Sequence, residues 1–121
     1  MRKTELNMAI LAQFTGTEHL HRHAVNVKVL FTDGAKYVAD QVGAYWLLDE
    51  IALIQLYDAR VGAEEFQVWK LVVNSDMTAE VICEDGNDNV VYIKRIPFTD
   101  FPGEGITFWF AGSTIFLPSE Y

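Results

Sequence analysis

The chain has a single cysteine, Cys83, among its 121 residues. One cysteine cannot form an intramolecular disulfide, and a zinc module built on several cysteines is excluded as well. Cys83 follows Ala79 and Val81 in an apolar alternation, so we interpret it as a small core residue. Sparse cysteine is consistent with a reducing compartment, and we predict a cytoplasmic location.

Positive charge is also scarce, because 9 Lys and Arg stand against 17 Asp and Glu, for a net charge of −8. Nucleic-acid binding depends on basic side chains that neutralise phosphates, and the basic residues here are scattered. We therefore expect no direct nucleic-acid binding and no attraction to an anionic membrane surface. An acidic surface keeps a protein soluble and favours a basic partner.

Long apolar runs are missing too, and none approaches the length of a membrane span. The N-terminus, MRKTELNMAILAQF, begins basic and turns apolar, but Glu5 and Asn7 interrupt it. The apolar run that remains is too short for a signal peptide. Leu6, Ile10 and Phe14 recur at helical spacing, which predicts an amphipathic helix instead.

The hydrophobic content, in contrast, is high at 50%. A chain of this length and composition can bury a core without disulfides, and its composition is not that of a disordered protein. No linker or repeat divides it. We predict one globular domain spanning residues 1–121.

Helices are predicted in the first half of the chain. Two short extended segments, around Glu18 to His23 and Val27 to Phe31, precede a helix from about Ala35 to Val42. Asp33 can cap that helix and Gly43 can end it. The next segment, AYWLLDEIALIQLYDAR, is apolar almost all round and is therefore predicted to be the central core helix. Its core residues are expected to be Trp46, Leu47, Leu48, Ile51, Leu53, Ile54 and Leu56.

Strands are predicted in the second half, where Val, Ile and aromatic residues alternate with turn residues. The predicted strands are Phe66–Asn74, Ala79–Glu84, Val90–Ile96, Ile106–Phe110 and Thr114–Leu117. In the hairpin around CEDGNDNV, we expect Cys83 to face Val91 and Glu80 to face Lys94, because opposite charges then pair. The predicted fold class is α+β, with N-terminal helices, one of them buried and apolar, packed on an antiparallel meander.

The segment TEHLHRHAV holds all three histidines, His19, His21 and His23. Alternate residues share one face of a strand, so a His-x-His pair can bind one zinc or another transition metal. The outer two are too far apart for all three to reach one ion, and His21 and His23 are the proposed metal ligands. The alternative is a solvated strand face, which would point Arg22 inward.

Asp49 and Glu50 lie inside the most apolar helix. A buried carboxylate needs a partner, and Arg22 or a histidine is the obvious candidate. One interpretation is a carboxyl with a shifted pKa, and the other is a structural ion pair or an exposed helix edge. The candidate functional cluster is therefore Arg22, His23, Asp33 and Asp49.

Three further motifs have structural explanations. DGNDN resembles a calcium loop, but Val90 and Ile96 stand where Gly and Glu are required. GEG at residues 103–105 precedes no helix and cannot cradle a phosphate. The strand around Trp109 is aromatic on both faces, which indicates two-sided burial or, alternatively, an exposed interface.

Several phrases together resemble a known family. Arg22-His23, FTDG, GAYWLLDEI, VWKL, FTDFP and the C-terminal LPSEY are similar to the short bacterial proteins classed as domain of unknown function 6876. That family has a YRH-type phrase where this chain has EHLHRH, which moves the emphasis to Arg22 and His23. The resemblance implies single-domain cytosolic proteins, often of plasmids, phages or cyanobacteria, and it brings no activity.

The sequence therefore predicts a non-enzymatic module that binds another protein or itself. An accessory role on a mobile genetic element would fit this prediction. The alternative is a metal-binding protein or small enzyme that uses His21 or His23 with Arg22 and a carboxylate. Three close imidazoles could also sense pH. No motif decides whether the protein is an enzyme.

Overall fold

The computed structural model describes residues 19–121, so the predicted amphipathic helix around Leu6, Ile10 and Phe14 lies outside the described residues. The strands are β1 Leu20–Arg22, β2 Leu30–Thr32, β3 Phe66–Val73, β4 Ala79–Glu84, β5 Val90–Ile96, β6 Gly105–Ala111 and β7 Thr114–Phe116. The helices are α1 Asp33–Val42, α2 Tyr45–Tyr57 and α3 Ala59–Gly62, with a 3-10 turn at Pro118–Glu120.

These strands form one seven-stranded sheet in the order β1-β2-β7-β6-β3-β4-β5. The α+β class is confirmed. The antiparallel meander is only partly right, because β2 pairs with β7 in parallel and the sheet is therefore mixed. The parallel pair joins segments that are far apart in the chain, and no local sequence pattern signals such a contact.

Helix α1 begins two residues earlier than predicted. Thr32, and not Asp33, is its N-cap: the Thr32 hydroxyl accepts from the amide of Ala35. Asp33 is instead the first helical residue and places its charge in the first turn, where the helix dipole favours an anion. Gly43 ends the helix in the left-handed conformation, with φ of 66°, as predicted.

Helix α2 supplies much of the core, as predicted, but one of its faces is solvated. Its buried residues are Leu47, Leu48, Ile51 and Ala52. Leu56 was expected in the core and is 55% exposed, because it lies beside that stripe. The helical segment also ends earlier than its apolar pattern suggests: Asp58 accepts from the amides of Arg60 and Val61 and so begins α3.

All three helices lie against the same face of the sheet. The buried residues alternate along β3, β4 and β6, as side chains that share one face must, and they join the buried helix residues in one cluster. The members from β3, β4, β6 and β7 are Trp69, Leu71, Ala79, Val81, Cys83, Phe108, Phe110 and Ile115. We call the other side of the sheet, which no helix of residues 19–121 covers, the open face.

The register of the β4–β5 hairpin differs from the prediction by one residue. Cys83 lies opposite Tyr92, and Glu80 lies opposite Arg95. The prediction was wrong because a β-bulge at Cys83/Glu84 shifts the pairing. The bulge also moves Lys94 to the helix side, where Glu50 of α2 accepts a hydrogen bond from its ammonium group at 2.9 Å.

A buried amide, Gln67 of β3, connects the sheet to the helices. Its side chain is fully buried and exchanges two hydrogen bonds with Gln55 of α2, at 2.7 and 2.9 Å. It also donates to the carbonyls of Val61 and Glu64 and accepts from the indole of Trp69. Every polar atom of the amide is therefore satisfied inside the core.

Of the helices within residues 19–121, none combines the length and the apolar character that crossing a bilayer requires.

Replacing Gln67 with Leu is predicted to lower the free energy of unfolding by about 2–4 kcal/mol, because several buried groups lose their partner at once. Urea denaturation measures the change. Gln41→Leu, on the exposed side of α1, is the matched control and should change stability by less than about 0.5 kcal/mol. Equal stability of the two variants would contradict the assigned role of the Gln67 network.

Candidate functional site

The histidines lie where the β1–β2 hairpin meets the helices. His21 pairs with Phe31 across the hairpin, and Phe31 is buried in the core. His21 therefore faces the helix side, and its ring lies 5.5 Å from that of Phe31. His23 follows β1, with its amide bonded to the carbonyl of Val29. His19, which precedes β1, is exposed.

His23 is the most constrained of the three, because both of its ring nitrogens have partners. Its Nε2 lies 2.7 Å from Oδ1 of Asp49. Its Nδ1 accepts from the amides of Val25 and Asn26, at 3.2 and 3.0 Å. Two amide donors at Nδ1 require a lone pair there, so the proton is on Nε2 and is donated to Asp49. The ring is 5% exposed, and neither nitrogen is available to a metal or a substrate in this arrangement.

Asn26 makes a second connection from the same loop to α2. Its side-chain amide donates to the carbonyl of Ala52 at 2.8 Å, and its Oδ1 accepts from the amide of Lys28. Asn26 itself is 5% exposed. His23 and Asn26 therefore hold the 23–29 loop to α2 at two adjacent turns of the helix.

His21 makes a separate and more open pair with Asp33, at the start of α1. Its Nε2 lies 2.9 Å from Oδ1 of Asp33, and the two side chains are 30% and 32% exposed. The hydrogen bond from His21 is the main reason that the pKa of Asp33 lies below its ordinary value. At 30% exposure against 5% for His23, His21 is the more accessible of the two histidines.

The predicted cluster of Arg22, His23, Asp33 and Asp49 is not assembled in one place. His23 and Asp49 form one of these pairs, Asp33 belongs to the other, and Arg22 belongs to neither. His23 bonds to Asp49, as one of the sequence alternatives proposed, whereas Asp33 bonds to His21. Arg22 does not point inward: it is exposed and donates to the carbonyl of Val27. Within residues 19–121 no three His, Cys, Asp or Glu side chains are grouped to hold a metal ion.

The neighbouring carboxylate, Glu50, points to the opposite edge of the sheet. It accepts from the hydroxyl of Tyr92 and the ammonium of Lys94, each at 2.9 Å. Burial, with help from Glu50, raises the pKa of Tyr92 to about 12. Sequence reasoning singled out Glu50 but missed its partners, because they depend on the β4–β5 register.

Cys83 is a core residue, as predicted, and is fully buried. Burial raises the pKa of its thiol to about 12, and Glu64, Glu84, Asp58 and Asp85 add to the effect. The thiolate is the reactive form of cysteine, so this residue is a poor nucleophile.

The open face carries an apolar cleft of about 500 Å³. It lies between the end of β3, the start of β6 and the C-terminal turn, and its lining includes residues 70–72, 104–107 and 117–119. Val72, 39% exposed, contributes side-chain surface there. At its rim, the ammonium of Lys70 is held at 3.0 Å by Glu84. No motif in the sequence marked this cleft.

Beside the cleft lies a cluster of four aromatic rings. Trp109 contacts Phe66, Phe116 and Tyr121 with ring centroids 5.3 to 6.2 Å apart. Trp109 lies on the face opposite Phe108 and Phe110, as predicted, and is half-buried. Tyr121 is 82% exposed, so the open face has an aromatic surface that contacts solvent.

Comparison with known proteins identifies the family. A family model matches residues 5–121, and the chain therefore belongs to the family of unknown function DUF6876, as its sequence phrases indicated. No curated protein and no solved structure matches the chain.

His23→Ala is predicted to lower the free energy of unfolding by about 2–3 kcal/mol, because Asp49 and two amides lose a buried partner. His21→Ala should cost less than about 1 kcal/mol, since its pair with Asp33 is partly exposed. Urea denaturation of both variants, with the wild type, measures the difference. A larger loss for His21→Ala would contradict the assignment of His23 as the structural histidine.

The pKa of Asp33 should rise toward its ordinary value of 3.8 in His21→Phe, because the ring loses its hydrogen bond. A carboxyl whose folded pKa is lowered stabilises the fold above the unfolded pKa and loses that effect as the pH falls through the folded pKa. NMR titration of the carboxyl carbons measures it. Asp76, whose pKa is lowered by Thr78, is the internal control and should not move. An unchanged Asp33 midpoint would refute the assigned cause.

Proposed function

We propose that this member of the family acts as a non-enzymatic module that binds a partner protein through the cleft on its open face. The observation that carries the proposal is the apolar cleft of about 500 Å³ on the side of the sheet away from the described helices. Exposed apolar surface that is rimmed by polar residues is typical of protein interaction sites.

The chemistry of the cleft favours a protein over a small molecule. Small-ligand sites combine an apolar wall with a few polar groups placed to orient the ligand. Here the ammonium of Lys70 at the rim is already engaged by Glu84. The aromatic cluster around Trp109 extends the same surface, and aromatic residues are enriched in protein interfaces. An apolar side chain of a partner is the occupant that this surface fits.

The net charge of the chain indicates the charge of the partner surface around its apolar side chain. At −8 the protein attracts a basic surface over distances comparable to the Debye length. We therefore propose a partner with an apolar anchor in a basic setting. A basic protein that handles nucleic acid would fit, without contact between this chain and the nucleic acid itself. A cytoplasmic location and an accessory role on a mobile genetic element remain predictions from the sequence.

The metal-binding or enzymatic alternative receives less support from the geometry. His23 uses both nitrogens within the protein, and its proposed co-ligand His21 belongs to a different pair. If the two histidines do not share an ion, zinc will not raise the thermal unfolding midpoint of the untagged protein, as a ligand of the native state would. A zinc-dependent rise that His21→Ala abolishes would restore the alternative.

Val72→Lys is predicted to abolish capture of the partner from host-cell lysate, because a charged side chain then occupies the apolar cleft. Leu56→Lys is the matched control, since Leu56 is also exposed, at 55%, but lies on α2. The expected result is that the wild type and Leu56→Lys both capture a protein that Val72→Lys does not. Added salt should weaken that binding. The proposal fails if every captured protein is retained equally by the two variants.

A further inference from the structure

The two edges of the sheet differ in how far they are open to a further strand. At one edge is β1, with three residues. At the other is β5, with seven residues, which pairs with β4 alone among the strands of residues 19–121. A long edge strand presents unpaired amides and carbonyls and is a template for another strand. Strand β5 is therefore the edge on which an added strand can form a ladder of useful length.

Proteins usually protect such an edge with lysine or arginine side chains that repel a second strand. Strand β5 has both, at Lys94 and Arg95, but each is drawn toward a carboxylate of its own chain. The ammonium of Lys94 donates to Glu50 at 2.9 Å, and Nε of Arg95 lies 3.7 Å from Glu80. The charge of Lys94 is thus compensated within the protein, whereas Arg95, 88% exposed, is held only loosely.

The exposed apolar side chains of β5 are placed for contact with a neighbour. Val90 is 52% exposed and Ile93 is 53% exposed. Ile93 lies opposite Ile82 of β4, on the open face, and is the middle residue of the strand. An added strand centred there would cover Ile93 and pair with the regular part of β5 around it.

We propose that two copies of the chain pair through β5, antiparallel and centred on Ile93, to form a continuous sheet across a two-fold axis. In this register Ile93 faces Ile93 of the second copy on the open face, and Tyr92 faces Lys94 on the helix side. No like charges lie directly opposite each other. A register centred on Lys94 would place the two Lys94 side chains opposite each other, which is destabilising.

Electrostatics on the helix side favour the same arrangement. Directly opposed residues have Cβ atoms about 4.5–5.5 Å apart, so Lys94 of one copy lies beside Tyr92 of the other. The hydroxyl of that Tyr92 is bonded to its own Glu50. Each Glu50 therefore faces a lysine from both copies, and each Lys94 faces two carboxylates. A second copy thus supplies a further lysine to each Glu50 and a further carboxylate to each Lys94.

This dimer does not depend on the proposed partner cleft, because it uses a different part of the sheet. Sedimentation velocity over a concentration series is the test. The wild type should reach twice the mass of the 13.7 kDa chain. Ile93→Lys and Ile93→Glu should each sediment as single chains, because like charges then meet at the two-fold axis. Since Ile93 is exposed in the single chain, both variants should keep the wild-type circular dichroism.

An equimolar mixture of Ile93→Lys and Ile93→Glu should recover the doubled mass, since residue 93 of one variant then faces its opposite charge in the other. Leu20→Lys, on β1 and also 53% exposed, is the matched control and should remain dimeric. A wild type that stays a single chain overturns the dimer. A dimer that survives Ile93→Lys, or is lost in Leu20→Lys, overturns the choice of edge. A mixture that stays monomeric overturns the register.

Discussion

The fold depends on one carboxylate, that of Glu120 at the start of α1. Its Oε1 accepts from the hydroxyl of Thr32 at 2.6 Å and the amide of Leu117 at 2.9 Å, and its Oε2 accepts from the amide of Gly34 at 3.1 Å. A helix N-terminus favours such an anion. A Cβ at Gly34 would lie 2.5 Å from this carboxylate, so a larger residue there would displace the Glu120 side chain. Since Thr32 ends β2 and Leu117 follows β7, the contact holds the parallel β2–β7 pair, which joins the histidine hairpin to the rest of the sheet.

Local patterns predicted the elements well, and contacts between distant residues account for the failures. Strands β4 and β5 have the predicted bounds, and Gly43 ends α1 as expected, because alternation and caps are properties of neighbouring residues. The β4–β5 register was wrong because the opposite charges at Glu80 and Lys94 fit a regular ladder. In the observed register, Glu80 forms an ion pair with Arg95, and Lys94 forms one with Glu50 of α2. Both pairings satisfy the charges, and the β-bulge at Cys83/Glu84, which the alternation does not signal, separates them.

At the candidate site, too, the sequence indicated the residues but not all of their contacts. The sequence indicated that a carboxylate of the apolar helix needs a partner, and Asp49 does bond to a histidine. The sequence could not indicate the turn at residues 23–26. This turn directs two amides at Nδ1 of His23, so that the ring nitrogen is used within the fold. The phrases that carry the family resemblance meet in such contacts. Arg22-His23 meets GAYWLLDEI through Asp49, and FTDG meets LPSEY through Glu120. In this chain these phrases are joined to one another by side-chain hydrogen bonds within the fold.

The two edge strands of the sheet, β1 and β5, are attached to the helices in different ways. Strand β1 is short, and its histidines connect it to α1 and α2 through Asp33 and Asp49, so its polar side chains are used within the chain. Strand β5 is attached through Tyr92 and Lys94 to Glu50, and among the strands of residues 19–121 only β4 pairs with its backbone. Adjacent carboxylates on α2 thus reach opposite edges of the sheet, because neighbouring residues on a helix point in different directions. Asp49 holds the loop that follows the short edge strand β1, while Glu50 holds Tyr92 and Lys94 of the long edge strand β5.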